Sequence, residues 1–172
     1  MRISLNNSFM FLFLIFLSSS TFTNGDLIKK ICQQTSDPSL CSNSFHSDPR
    51  SVNASLTILG HISIKNAQKS AKSIKKLIHS VSYSGNYTEC ISLYEDAISN
   101  LKKCKKALKA HDYGELNTLV SGAMTDASMC DGSFGRGVKG PPQLKFASLK
   151  LQGLCNIILV ISSNLSGIKM FV

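Results

Sequence analysis

The sequence predicts an all-α protein: an up-down-up-down four-helix bundle preceded by a short, disulfide-closed N-terminal α-hairpin. Three observations predict it. Apolar residues recur at helical spacing from about residue 53 to the C-terminus, no segment alternates apolar with polar long enough for a strand, and proline and cysteine sit where helix starts and cross-links belong.

The chain opens with Arg2, the apolar run 9–17 and small polar residues up to Gly25, the layout of a secretory signal peptide. The run is well short of the roughly 20 apolar residues needed to span a bilayer, so no membrane association is expected once the leader is removed. Residues 1–25 are therefore set aside, and 26–172 is read as one domain, with the hairpin at 26–50 and the bundle at 53–170.

In the hairpin, two short apolar segments flank the turn signal Thr35-Ser36-Asp37-Pro38, where Asp37 is a natural N-cap and Pro38 a natural first helical residue. The first bundle segment aligns Ala67, Ala71, Ile74, Ile78 and Val81 on one face, and the second aligns Cys90, Tyr94, Ala97, Leu101, Cys104 and Leu108. The third, read from about Glu115 to Cys130 after the turn-like 111–114, carries Leu116, Val120, Ala123, Ala127 and Cys130 and is expected to be shorter. The fourth follows Gly140-Pro141-Pro142 with an apolar stripe running from Leu144 through Leu151 and Ile158 to Ile168.

Six cysteines behind a leader point to disulfides, though six allow fifteen connectivities. A closed hairpin brings Cys32 to Cys41. An antiparallel pair of segments turning near residue 111 sets position 90 level with about 132, so Cys90 faces Cys130. Cys104 and Cys155 fall at similar height, but on helices that are diagonal in a simple bundle, about 14 Å apart if neighbours are about 10 Å apart, beyond disulfide reach of about 7 Å. They are expected as free buried thiols, with a third bridge as the alternative.

No catalytic constellation is present. The four histidines, His46, His61, His79 and His111, have no metal-ligand spacing, so no metal and no cofactor is expected. Glu95 and Asp96 are neighbours in sequence, about 100° apart on a helix, and cannot flank one bond. The glycines between 132 and 140 lack the strand and Gly-Lys-Ser/Thr of a phosphate loop. Apolar surroundings raise thiol pKa values, which disfavours a nucleophilic cysteine.

What remains is surface chemistry. The net charge of +9 favours acidic polysaccharides or acidic protein surfaces, and the scarcity of aromatics among the basic residues argues against nucleic acid. Lys65, Lys69, Lys72, Lys76 and His79 form a basic stripe, and Lys102, Lys103, Lys105, Lys106 and Lys109 crowd the second segment; a solvated face is the simpler reading of both. Opposite the apolar stripe of the third segment lie Thr118, Ser121, Gly122, Thr125 and Ser128, where long charged side chains would be usual. Small side chains lose little entropy on contact, so this is a candidate docking face. Asn53 and Asn86 are glycosylation candidates, and a third sequon at Asn164 is disfavoured by its place inside a helical stripe.

The motifs 31–41, 90–97 and 119–130 together resemble those of the plant invertase and pectin methylesterase inhibitor family, and Ile161-Ser162-Ser163-Asn164-Leu165 is similar to that family's last helix. The resemblance implies the hairpin-plus-bundle fold, bridges at Cys32–Cys41 and Cys90–Cys130, and a secreted, apoplastic, non-enzymatic inhibitor that binds its target one to one over the active cleft. The target-binding candidates are Asp96, Thr118, Ser121, Thr125 and Asp126. Some invertase inhibitors of the family carry Pro-Lys-Phe before the third bundle helix, and its absence at 109–115 favours pectin methylesterase as the partner. The stretch 139–145 and the last helix look more like members assigned to acid invertase, which stays as the alternative. A non-inhibitory basic cell-wall protein holding acidic pectin is the alternative of a different class.

Overall fold

The computed structural model describes residues 24–81, 87–133 and 141–167; residues 1–23 of the expected leader, the sequon residue Asn86, the glycine-rich stretch 134–140 and Ile168 lie outside them. Among the described residues every regular element is helical. Two short helices, α1 (Asn24–Cys32) and α2 (Pro38–His46), and a 3-10 turn (Pro49–Ser51) precede four long ones: α3 (Leu56–Val81), α4 (Thr88–Lys109), α5 (Tyr113–Ser133) and α6 (Pro142–Ser166).

Side-chain chemistry explains several of the element boundaries. Asp37 caps α2, accepting the Leu40 amide at 2.9 Å, and Pro38 fills the first turn, where a missing N–H costs nothing. Asp48 caps the 3-10 turn and pairs with Arg50. α4 carries Glu89 in its first turn and Lys106 and Lys109 in its last, matching the helix dipole. It ends with His111 in the left-handed region (φ 58°), where the amides of His111 and Asp112 return to the carbonyls of Leu108 and Ala107 and satisfy the last turn.

α5 differs from its expected extent. It starts at Tyr113, and its 21 residues approach the 22 of α4. The physical reason is Asp112, whose carboxylate accepts the Glu115 amide at 2.9 Å and so starts a helix within the stretch read as a turn.

The four long helices neighbour one another in a ring, α3–α4–α5–α6–α3, with the diagonal pairs held apart. Each neighbouring pair runs antiparallel. Gln68 donates to the Leu101 carbonyl at 2.7 Å and Lys75 pairs with Glu95, so α3 descends as α4 climbs. Ser148 and Ser162 reach back to the carbonyls of Ala127 and Tyr113 and set the same relation for α5 and α6. The predicted stripes are the core: Ala67 to Ile78, Cys90 to Leu108 and Leu116 to Cys130 are buried at every stripe position, save Val81 at the end of α3, which is half-buried.

α6 is buried more widely than one stripe requires. Ile157, Val160 and Ser163 also leave solvent because the hairpin lies on this helix. The Ser36 amide donates to Asn156 Oδ1 at 2.9 Å, and Asn164 Nδ2 donates to Gln34 Oε1 at 3.0 Å. Gly153 is the point of close approach: a β-carbon there would come within 2.6 Å of Leu40 Cδ2, so the Leu40 side chain of α2 would have to shift to admit a larger residue. The hairpin is thus part of the same core. This explains why α6 is long and apolar enough to cross a membrane by composition: half of its most apolar window is packed against protein.

The two bridges have Cα separations of 5.4 Å for Cys32–Cys41 and 4.8 Å for Cys90–Cys130. Cys104 and Cys155 are unbonded and buried.

Candidate functional site

The α4–α5 edge is where the candidate binding residues come together. Cys90–Cys130 ties the start of α4 to the end of α5, and the small residues along the seam keep the two helices close. A β-carbon on Gly122 would lie 3.1 Å from Asn100 Nδ2, so a larger residue there presses on α4.

On α5, Thr118, Ser121, Thr125 and Ser128 are all exposed, one or two to each turn. Thr118 Oγ1 donates to the Gly114 carbonyl at 3.1 Å. Asp126 is half-buried at the seam; Asn100 Nδ2 donates to its Oδ2 at 3.5 Å, a long bond. Burial, and then the charge of Asp96 on α4, push the Asp126 carboxyl above the usual carboxylate range, against the pull of Asn100. Asp96 itself is exposed, so Asp96 and Asp126 form one acidic spot beside a hydroxyl-lined strip. Glu95, its neighbour in sequence, points to α3 and pairs with Lys75. The two adjacent acids therefore serve different sides of the helix.

Two members of this face went unread in the sequence. Asn100 lies one turn beyond Asp96, and following the polar side of α4 by four residues would have reached it. Met129, 51% exposed, adds an apolar contact at the end of the strip. The largest exposed apolar side chain in the described residues is elsewhere: Phe146, 74% exposed, on α6 near Leu149.

The side chains on and behind this face suit contact with a partner more than reaction. The thiols of Cys104 and Cys155 are pushed up to about 12 by burial, and Cys104 Sγ donates to the Asn100 carbonyl at 3.3 Å. Burial likewise pushes the Tyr94 hydroxyl up to about 12. Among the described residues no group of three or more His, Cys, Asp or Glu side chains is placed to hold a metal ion. A strip of short exposed hydroxyls with an acidic spot suits a protein surface, since little side-chain entropy is lost on contact.

The glycosylation candidate Asn53 is exposed in a turn with φ 58°, a conformation asparagine tolerates. Asn164 is held in α6 by bonds from its amide to Val160 and Gln34.

Comparison with known proteins places this architecture. A family model described as plant invertase/pectin methylesterase inhibitor matches residues 26–161. A pectinesterase inhibitor of Actinidia deliciosa is 43% identical over 83% of this chain and 81% of its own length, and pectinesterase inhibitor 2 of Arabidopsis thaliana is 32% identical over 79% and 82%. Among solved structures, a mutant form of a pectin methylesterase inhibitor from Arabidopsis superposes with a TM-score of 0.69 at 28% identity, over 79% of this chain and 95% of that one.

Proposed function

Since the chain belongs to the plant invertase/pectin methylesterase inhibitor family, a family of enzyme inhibitors and not of enzymes, we propose that it inhibits pectin methylesterase by docking its α4–α5 face over the enzyme's active cleft, one inhibitor to one enzyme. The observation that carries the reading is the exposed strip Thr118, Ser121 and Thr125 beside Asp96 and Asp126. The names of the relatives at 43% and 32% identity support pectin methylesterase as the target.

Inhibition here is a matter of surface fit. Short side chains on two helices pinned by Cys90–Cys130 meet a partner with little ordering cost, and the partly desolvated Asp126 offers a charge-assisted hydrogen bond to a donor on the enzyme. The leader at 1–25 would deliver the protein to the apoplast, where the oxidising setting suits both bridges.

Acid invertase is the second reading, because the family description names both targets. Titrating the purified protein against a plant pectin methylesterase and against an acid invertase tests the choice. Inhibition of the esterase alone is expected; inhibition of invertase alone would transfer the reading to the second target, and inhibition of neither would end both.

A further inference from the structure

An open groove of about 480 Å³ lies between α2, α3 and α6, within the size range of ligand-binding clefts. Its floor is apolar, made by Leu40, Ile74, Leu77 and Leu154. Its walls carry amides and hydroxyls, among them Asn43, Ser47, Ser70 and Ser73. Two exposed cations stand at it, Lys69 from α3 and Lys150 from α6. No carboxylate lines it, and α2, α3 and α6 contain no Asp or Glu along their lengths. The acids nearest in sequence to α2 are committed: Asp37 caps that helix and Asp48 pairs with Arg50.

The chemistry selects the occupant. An apolar floor suits the C–H face of a sugar ring, hydroxyl and amide walls suit its hydroxyls, and the two lysines suit a carboxylate. None of the lining residues is aromatic, so the groove has no platform on which a nucleic-acid base could stack. Beyond the groove Lys65, Lys72 and Lys76 continue along the exposed side of α3, and Lys65 to Lys76 spans about 16 Å at the helical rise, which suits a polymer better than a single sugar. We infer that this groove and its flanking lysines bind a linear polyuronate, the de-esterified form of pectin. Because α3 and α6 form the edge of the ring opposite α4 and α5, the polymer would be held on the side away from the enzyme-docking face. The choice of a polyuronate among polyanions rests on the cell-wall setting of the proposed function.

The experiment is retention and affinity on immobilised polygalacturonate at low salt, using the whole mature protein. Binding is expected to fall steeply with salt and to be competed by free polygalacturonate but not by fully methyl-esterified pectin. The pair Lys69→Gln/Lys150→Gln should weaken it about tenfold or more, while Lys102→Gln/Lys106→Gln, which removes the same charge from α4, should change it less than about twofold. Circular dichroism and retained inhibition of the target enzyme would show that the groove variant is folded. Equal losses in the two pairs, equal competition by single-stranded DNA or phosphatidylserine vesicles, or no retention would overturn the inference. For the wild-type protein, retention on polygalacturonate without enzyme inhibition would count against the docking reading alone, and inhibition without retention against the groove alone.

Discussion

At the scale of single residues, the two cysteines outside the bridges and the acid at the seam give the sharpest tests. Cys104 and Cys155 are both 0% exposed, and ionisation is suppressed in both, so neither should react with a thiol reagent in the native protein at mildly alkaline pH. In denaturant, without reductant, two thiols per chain should appear. None in denaturant would mean a third bridge, and rapid native reaction would contradict the burial. Asp126 binds its proton more tightly folded than unfolded. Its contribution to stability is therefore full below the ordinary carboxylate value of 3.8 and is lost as pH rises through the folded value. Asp126→Asn should thus raise the melting temperature at neutral pH, by no more than about 2 °C for so open a site, and the gain should vanish in strong acid. A loss at neutral pH would mean that the Asn100 bond outweighs desolvation and the Asp96 charge.

At the scale of elements, the bridges differ in reach. Cys90–Cys130 closes a separation of 40 residues and Cys32–Cys41 one of 9. Loop-closure entropy gives about 4 kcal/mol for the first and about 2.5 kcal/mol for the second. Urea unfolding of Cys90→Ser/Cys130→Ser should show the larger loss, and Cys32→Ser/Cys41→Ser the smaller; the opposite order would mean that the hairpin holds the core more than the α4–α5 seam does. The apolar stripes were legible because 3.6-residue periodicity is written locally, and so were the cap at Asp37 and both bridges, which follow from turns in the chain. The start of α5 was not. Gly114 beside His111 and Tyr113 reads as a turn unless Asp112-x-x-Glu115 is recognised as a capping pattern. Nor was the breadth of burial on α6, since Ile157 and Val160 leave water only when the hairpin docks, a tertiary event with no local signature. The groove escaped for the same reason: Lys150 joins Lys69 from a helix some 80 residues away along the chain.

At the scale of the whole molecule, the two candidate surfaces occupy opposite edges of one ring of helices. The groove with Lys69 and Lys150 lies along α3 and α6, and the hydroxyl strip with Asp96 and Asp126 along α4 and α5, whose own lysines gather from 102 to 109 toward the end of α4. A molecule so divided can engage an enzyme without giving up its hold on an acidic polymer. The docking role of the α4–α5 face is open to a stoichiometric titration of pectin methylesterase activity with the wild type, with Ser121→Arg/Thr125→Arg and with Phe146→Ser. Both α5 positions are exposed, so the arginines should leave the melting temperature within a few degrees of wild type. The wild type and Phe146→Ser should reach full inhibition at one equivalent, while the double arginine variant should bind about 100-fold more weakly or worse, as expected when bulk and charge enter the centre of an interface. Full inhibition by the arginine variant, or its loss in Phe146→Ser instead, would contradict the account.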